Sequence, residues 1–125
     1  MASSRKFKFC IVDDDLVLLK LMGKLLESRG HQVTLFHAGT SAVIDIPDEL
    51  PDCVITDLVM MGLDGLELVR DLRANPEMCE LKIIMVTSKS DDVTRTTAMK
   101  DGVDRFIGKP LDVATFPELV ESVMQ

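Results

Sequence analysis

The segment at 51–65, PDCVITDLVMMGLDG, decides the fold of this chain. Its short apolar run at 53–55 leads through Thr56 to Asp57, and an apolar run of this length between turn residues predicts a strand buried on both faces. The segment after Asp57 closes on Gly-Leu-Asp-Gly, which is turn chemistry. Asp57 therefore stands where a buried strand ends. A carboxylate there is costly unless it is paired, binds a metal or takes part in chemistry.

Taken alone, Asp57 also fits a simpler role as a helix-capping aspartate in a loop between strand and helix. The rest of the chain bears on this choice, because three further strand-like segments also end in polar residues. Apolar runs predict strands at 7–12, 32–36, 53–55, 83–86 and 105–107. Helical spacing predicts helices at 16–29, 42–46, 65–74, 93–100 and from 115 to 125. The alternation predicts one doubly wound (βα)5 domain of the α/β class, whose five-stranded parallel sheet has the flavodoxin-like order 2-1-3-4-5.

Capping residues and a proline predict where several helices begin or end. Asp15 is expected to cap the first helix, and Thr40 or Ser41 the second. Pro47 is expected to stop that second helix, and a capping box at 115–118 to start the last one. The second strand alternates apolar and polar residues, which predicts an edge or half-exposed position.

Size and charge exclude several classes of protein. The chain has 125 residues, which suits one domain, and its 46% hydrophobic content is enough for a core. The formal net charge is −7. A chain this acidic repels nucleic acid, so we expect no nucleic-acid binding by this domain.

Cysteine and histidine usage indicates a reduced, cytoplasmic protein without a metal cage. Cys10 and Cys53 lie in apolar runs, Cys79 is the third cysteine, and no metal-binding spacing joins them. We interpret His31 and His37 as surface residues. No apolar stretch is long enough to cross a membrane, and the segment at 1–8 is followed by too short an apolar run for a signal peptide.

Polar residues collect at the predicted carboxyl ends of the strands. Asp13 and Asp14 follow the first strand, Asp57 the third, Thr87 the fourth and Lys109 the fifth. Ligands bind at this edge of an open parallel sheet, where the strand order reverses. The carboxylates predict an oxygen-rich site for Mg²⁺. A lysine and a hydroxyl beside them suit a phosphoryl group.

With these residues placed, the chain resembles the receiver domains of two-component response regulators, most closely the single-domain regulators of the chemotaxis type. The matching motifs are VDDD at 12–15, TDLVM followed by GLDG at 56–65, VTS at 86–88 and GVDRFIGKPL at 102–111. Each motif is weak alone, but together they occur in family order and spacing. The resemblance extends from residue 7 to the end, and residues 1–125 are expected to form one receiver domain.

The resemblance implies a phosphoryl-accepting site. Asp57 would be the catalytic nucleophile and the phosphorylation site, taking its phosphoryl group from a sensor histidine kinase or a histidine phosphotransfer protein. Asp13, Asp14, Asp57 and the carbonyl group of Val59 would hold Mg²⁺. Lys109 would pair with a phosphoryl oxygen.

The resemblance also implies a switch. Thr87 would donate its hydroxyl to the new phosphoryl group, and Phe106 matches the aromatic residue that then turns inward. The surface formed by the fourth helix, fifth strand and last helix would control a downstream effector protein or an attached output domain. Such a protein catalyses its own phosphorylation and dephosphorylation but acts as a signalling switch rather than a turnover enzyme.

The sequence departs from the family pattern in places. Met61 stands where proline is usual, Phe106 where tyrosine is frequent, and Pro47 is expected to shorten the second helix. Val59 and Lys89 occupy the two positions that, in this family, flank the route of the water that hydrolyses the phosphoryl group. Neither side chain holds such a water, so we expect slow hydrolysis.

Two other functions deserve comparison. A pseudo-receiver that only binds partner proteins predicts the loss of Asp57, Lys109 or the acidic pair, and all are present. A hydrolase of the haloacid-dehalogenase type needs a second acid two residues after its nucleophile, where this chain has Val59.

Overall fold

Strands and helices alternate along residues 5–125, the part of the chain that the computed structural model describes. The strands are β1 (Lys8–Val12), β2 (Gln32–Phe36), β3 (Cys53–Thr56), β4 (Lys82–Thr87) and β5 (Arg105–Gly108). The helices are α1 (Leu16–Glu27), α2 (Gly39–Glu49), α3 (Gly65–Ala74), α4 (Asp92–Asp101) and α5 (Phe116–Val123). The sequence-based expectation about a signal peptide involves residues 1–4, which lie outside the described part.

The strands form a single parallel sheet in the order β2-β1-β3-β4-β5. This confirms the predicted flavodoxin-like α/β fold. Strands β1, β3 and β4 are almost entirely buried because helices cover both faces, whereas β2 lies at an edge and is largely half-exposed, as its alternating pattern predicted.

The core consists of two hydrophobic clusters on opposite faces of the sheet. One packs under α2, α3 and α4, and the other under α1 and α5. Cys10 belongs to the first cluster and Cys53 to the second, and both are buried free thiols, as predicted. Burial raises the pKa of Cys10 to about 12, so its thiol stays protonated.

Aspartate side chains cap three of the helices. The carboxylate of Asp15 accepts hydrogen bonds from the backbone N–H groups of Val17 and Leu18, which confirms the predicted cap of α1. Asp64 and Asp91 cap α3 and α4 in the same way.

The prediction for the second helix was wrong at both ends. Helix α2 begins at Gly39, without a side-chain cap, and it continues through Pro47 to Glu49. Proline lacks the N–H for one helical hydrogen bond, but Ala42 and Ile46 are fully buried against the core, and this packing holds the helix together across Pro47.

The predicted capping box of α5 is absent. Thr115 does occupy the N-cap position, but its side chain makes no capping hydrogen bond. The chain instead enters the helix through a turn in which Asp112 accepts bonds from the backbone N–H groups of Ala114, Thr115 and Phe116.

The prediction that both histidines are surface residues was right for His37 and wrong for His31, which is only 5% exposed. Nδ1 of His31 accepts a hydrogen bond of 3.1 Å from the backbone N–H of Phe7, and Nε2 lies 2.7 Å from a carboxylate oxygen of Glu121. Arg29 also binds Glu121. These contacts hold α5 against the turn that joins α1 to β2.

No helix within residues 5–125 has the length and apolar character needed to cross a membrane.

We predict that Glu121→Ala lowers the free energy of unfolding by about 1–3 kcal/mol, because it leaves Nε2 of His31 buried without a partner. Burial opposes ionisation of Glu121, but its hydrogen bonds to Arg29 and His31 outweigh this and lower its pKa from the ordinary 4.5. The stabilisation is therefore complete above pH 4.5 and is lost as the pH falls through the lowered pKa.

Urea unfolding of the unaltered protein and of the Glu121→Ala variant at several pH values measures the difference in their free energies of unfolding. Glu118→Ala removes an exposed glutamate from the same helix and is the matched control. Equal losses of stability in the two variants would contradict the conclusion that the contacts of Glu121 with His31 and Arg29 stabilise the fold.

Candidate functional site

The ends of four strands bring the predicted site residues to one edge of the sheet. Asp13 directly follows β1 and Asp57 directly follows β3, and the backbone N–H of Asp57 donates to the carbonyl of Val12 over 3.0 Å. Lys109 directly follows β5, and its backbone N–H donates to the carbonyl of Thr87 at the end of β4 over 2.9 Å. Hydrogen bonds that continue the strand ladder therefore fix the backbone of Asp57 and of Lys109.

The ammonium group of Lys109 bridges two buried carboxylates. Its Nζ lies 2.9 Å from Oδ2 of Asp57 and 3.2 Å from Oδ2 of Asp13. The other oxygen of each carboxylate accepts a backbone N–H, from Leu58 at 2.7 Å and from Asp15 at 2.9 Å. Each carboxylate is thereby held at both oxygens.

The charges of the site are not balanced by Lys109 alone. Burial raises the pKa of the Asp13 carboxyl, although the N–H of Asp15 and the charge of Lys109 act against this. Burial by itself would lower the pKa of Lys109, but the hydrogen bond to Asp57 and the charges of both aspartates outweigh it and raise that pKa. Lys109 is therefore charged, and the buried acids still lack full compensation.

The carboxylates can accommodate a metal ion. Asp13, Asp14 and Asp57 each offer an oxygen, and these atoms all lie within 4.8 Å of one another. Asp14 is exposed, so it can turn toward an ion that enters from solvent. Three carboxylates face one ammonium group, which leaves two negative charges for a divalent cation to balance.

The remaining predicted residues are Thr87, Val59 and Phe106. Thr87 is buried, and its hydroxyl accepts the backbone N–H of Lys89 over 3.2 Å. Val59 is 62% exposed on the loop after Asp57. Phe106 is half-buried, and the guanidinium carbon of Arg95 lies 5.2 Å from its ring centroid. Within residues 5–125, the side chains of Thr87 and Phe106 make no hydrogen bond or ion pair with the bridged carboxylates.

Sequence reasoning missed the importance of Gly65. A Cβ atom there would lie 2.0 Å from the carbonyl oxygen of Asp57, and the N–H of Gly65 donates to the carbonyl of Leu58 over 2.7 Å. The hydroxyl of Thr56 donates to that same Asp57 carbonyl over 2.8 Å. The Gly-Leu-Asp-Gly signal predicts a turn and matches a family motif, and the structure shows in addition that its last glycine lets α3 begin against the backbone of Asp57.

A family model for the response regulator receiver domain matches residues 9–121. The chain belongs to this family. The resemblance inferred from the sequence motifs is therefore confirmed, and the protein is a receiver of two-component signalling.

Two curated relatives and one solved structure illustrate the similarity. The receiver is 34% identical over 116 residues to the phosphate regulon transcriptional regulatory protein PhoB of Rhizobium meliloti, covering 93% of this chain and 50% of that protein. It is 30% identical over 117 residues to protein PilH of Pseudomonas aeruginosa, covering 94% of this chain and 97% of PilH. The chain thus spans about half the length of the first relative and nearly all of the second.

The solved structure is the receiver domain of the sensor histidine kinase PA1611 from Pseudomonas aeruginosa. It matches with a TM-score of 0.85 at 23% identity, covering 96% of this chain and 98% of that one. That structure has a magnesium ion coordinated in its active site cleft. The likeness shows that the two receivers share a fold.

We predict that Gly65→Ala destabilises the receiver by about 1–3 kcal/mol, as overpacking does, because the new methyl group must displace the backbone of Asp57. Thermal unfolding measures the loss, and NMR shifts of the Asp57 and Leu58 amides report the displacement.

Gly108→Ala is the matched control, because a Cβ atom there meets nothing nearer than Ser90 at 3.7 Å. If the Gly65→Ala variant were as stable as the Gly108→Ala variant and left these amides unmoved, the close approach would have no structural importance.

Proposed function

We propose that this receiver accepts a phosphoryl group on Asp57, with Mg²⁺ bound, and that the phosphorylated form switches the surface of α4, β5 and α5. The observation that carries the proposal is the pairing of Asp57 with Lys109 beside two further aspartates. This arrangement combines a carboxylate nucleophile, a fixed cation and a set of oxygen ligands at one strand edge.

The transfer step uses one oxygen of Asp57. The carboxylate oxygen attacks the phosphorus of a phosphohistidine, the P–O bond forms as the P–N bond breaks, and the departing imidazole keeps the electron pair and takes up a proton. Lys109 stabilises negative charge on a phosphoryl oxygen. The N–H of Leu58 keeps the Asp57 carboxylate oriented. Catalysis then consists of positioning and charge neutralisation.

The carboxylates of Asp13, Asp14 and Asp57, together with the carbonyl of Val59, would hold the metal ion. Mg²⁺ in this position supplies positive charge against the phosphoryl oxygens. The fit rests on the carboxylate oxygens within 4.8 Å and on the uncompensated charge of the site.

Switching would follow from new contacts that exist only after transfer. The Thr87 hydroxyl now accepts the N–H of Lys89, and it remains able to donate its proton to a phosphoryl oxygen. A movement of Thr87 would open space for Phe106, which packs against the cluster beneath α4. The ring would then leave the guanidinium of Arg95.

The partners follow from this chemistry. We propose that the receiver acts in the cytoplasm, with a sensor histidine kinase or a histidine phosphotransfer protein as donor and an effector protein or attached output domain as target. A pseudo-receiver that only binds partners remains the alternative, and phosphorylation of Asp57 distinguishes the two.

We predict that incubation with phosphoramidate and Mg²⁺ adds one phosphoryl group to the protein, and that Asp57→Asn prevents it because the amide is a poor nucleophile. Intact-mass spectrometry measures the addition, and a chelator should prevent it in the unaltered protein.

Asp45→Asn removes an exposed carboxylate from α2 and should leave phosphorylation unchanged. Stoichiometric phosphorylation of the Asp57→Asn variant at another residue would refute the assignment. A complete absence of phosphorylation in the unaltered protein would favour the pseudo-receiver.

The phosphoryl group on Asp57 should hydrolyse slowly, because Val59 cannot orient a water molecule and Lys89 carries no acceptor for one. Both residues line one cavity, together with Leu58, the residue that follows Asp57. We predict that Val59→Asn and Lys89→Glu each speed hydrolysis about fivefold, as one added hydrogen bond of about 1 kcal/mol implies.

The decay is followed after rapid removal of the donor, with Mg²⁺ present. Val113→Asn is the control, because Val113 is an exposed valine in the loop before α5 and does not line the cavity. An unchanged rate in the protein that carries both Val59→Asn and Lys89→Glu would show that these positions do not control the lifetime.

A further inference from the structure

A cavity of about 360 Å³ opens between α4 and the loop that follows Asp57. The loop and α3 supply one wall, with the apolar side chains of Leu58, Val59, Met60 and Leu66. The opposite wall is Val93, Thr94 and Thr97 of α4, and Lys89 and Asp64 complete the lining. This volume and this mostly apolar lining are typical of sites for small molecules.

Most polar side chains of the lining are already engaged within the protein. Asp64 accepts the N–H of Glu67 over 2.9 Å, where it caps α3. The hydroxyl of Thr94 donates to Asp91 over 2.7 Å, and that of Thr97 donates to the carbonyl of Val93 over 2.9 Å. Because both hydroxyl protons already form hydrogen bonds within the protein, the two threonines do not indicate which class of ligand the cavity would bind.

Lys89 is different. Among residues 5–125, no carboxylate lies within 4.0 Å of its ammonium group. Its backbone is nevertheless held, because its N–H donates to the hydroxyl of Thr87. The lining thus combines apolar walls with two charges, the carboxylate of Asp64, which is used in capping α3, and the ammonium group of Lys89, whose charge also acts on nearby Asp91. Because Lys89 makes no ion pair within 4.0 Å among residues 5–125, it is the group of the lining that can pair with the negative charge of a small molecule whose apolar body fills the cavity.

We propose that this cavity binds a small amphipathic anion, of the class of aryl or alkyl carboxylates, with the apolar body between α4 and the loop and the carboxylate paired with Lys89. Leu58 and Val59, which directly follow Asp57, line the cavity, and an occupant that contacts them would restrict the path of water to Asp57. On the proposed function, it therefore slows hydrolysis of the phosphoryl group.

Binding is tested on the unphosphorylated protein with 4-phenylbutyrate and its uncharged analogue 4-phenylbutyramide. Amide and methyl NMR shifts should change saturably at Leu58, Val59, Val93 and Thr97. The butyramide should bind about two- to fivefold more weakly, which is the range of one exposed charge pair. Absence of saturable shifts with the carboxylate would overturn the proposal.

Two pairs of variants separate the contributions of charge and shape. Lys89→Gln should weaken binding of the carboxylate about two- to fivefold and leave the amide unaffected, whereas Lys100→Gln removes an exposed charge from the far end of α4 and should change neither. Thr97→Leu narrows the cavity and should weaken both probes, whereas Thr96→Leu alters the adjacent residue, which does not line it. Equal effects within either pair would overturn the proposal.

The second arm follows the lifetime of the phosphorylated protein with saturating 4-phenylbutyrate. A longer lifetime supports covering of Asp57, and an unchanged lifetime overturns that part alone. If no phosphorylation occurs at all, the proposed function fails, while the binding measurements still decide whether the site exists.

Discussion

The bridge from Lys109 to Asp13 and Asp57 is the constraint on which the rest of this receiver depends. Two carboxylates buried at adjacent strand ends repel each other, and the fold tolerates them because a lysine from a third strand end lies between them. This arrangement requires the carboxyl ends of β1, β3 and β5 to lie level with one another at the same edge of the sheet. The parallel order, with β4 tying β5 to the centre of the sheet, meets that requirement.

Much of the site could be predicted from the sequence, because its residues stand at the ends of strands. A polar residue directly after a buried strand is easy to recognise, because the change from apolar to charged is abrupt at Val12-Asp13 and Thr56-Asp57. Parallel strands then bring those ends together without further information. The grouping of Asp13, Asp14, Asp57 and Lys109 followed from this reasoning, together with the strand order 2-1-3-4-5 that is typical of flavodoxin-like folds.

The features that escaped prediction depend on contacts distant in sequence. His31 looks like a surface residue until Glu121, from the other end of the chain, is placed against it. Pro47 looks like a helix stop until the burial of Ile46 is known. Gly65 looks like one more turn residue until its distance to the Asp57 carbonyl is measured. Tertiary packing decides each case, and local propensity does not record it.

The division of the core into two clusters has a mechanical consequence. Helices α4 and α5 both flank β5, yet Ala98 of α4 packs into one cluster while Phe116 and Val120 of α5 pack into the other. The sheet separates the two, and Glu121 ties α5 to the corner at Arg29 and His31. Helix α4 is tied instead to α3, because Arg70 binds Asp101 over 3.0 Å. A protein that contacted both α4 and α5 would therefore bridge two halves of the core that are packed and anchored separately.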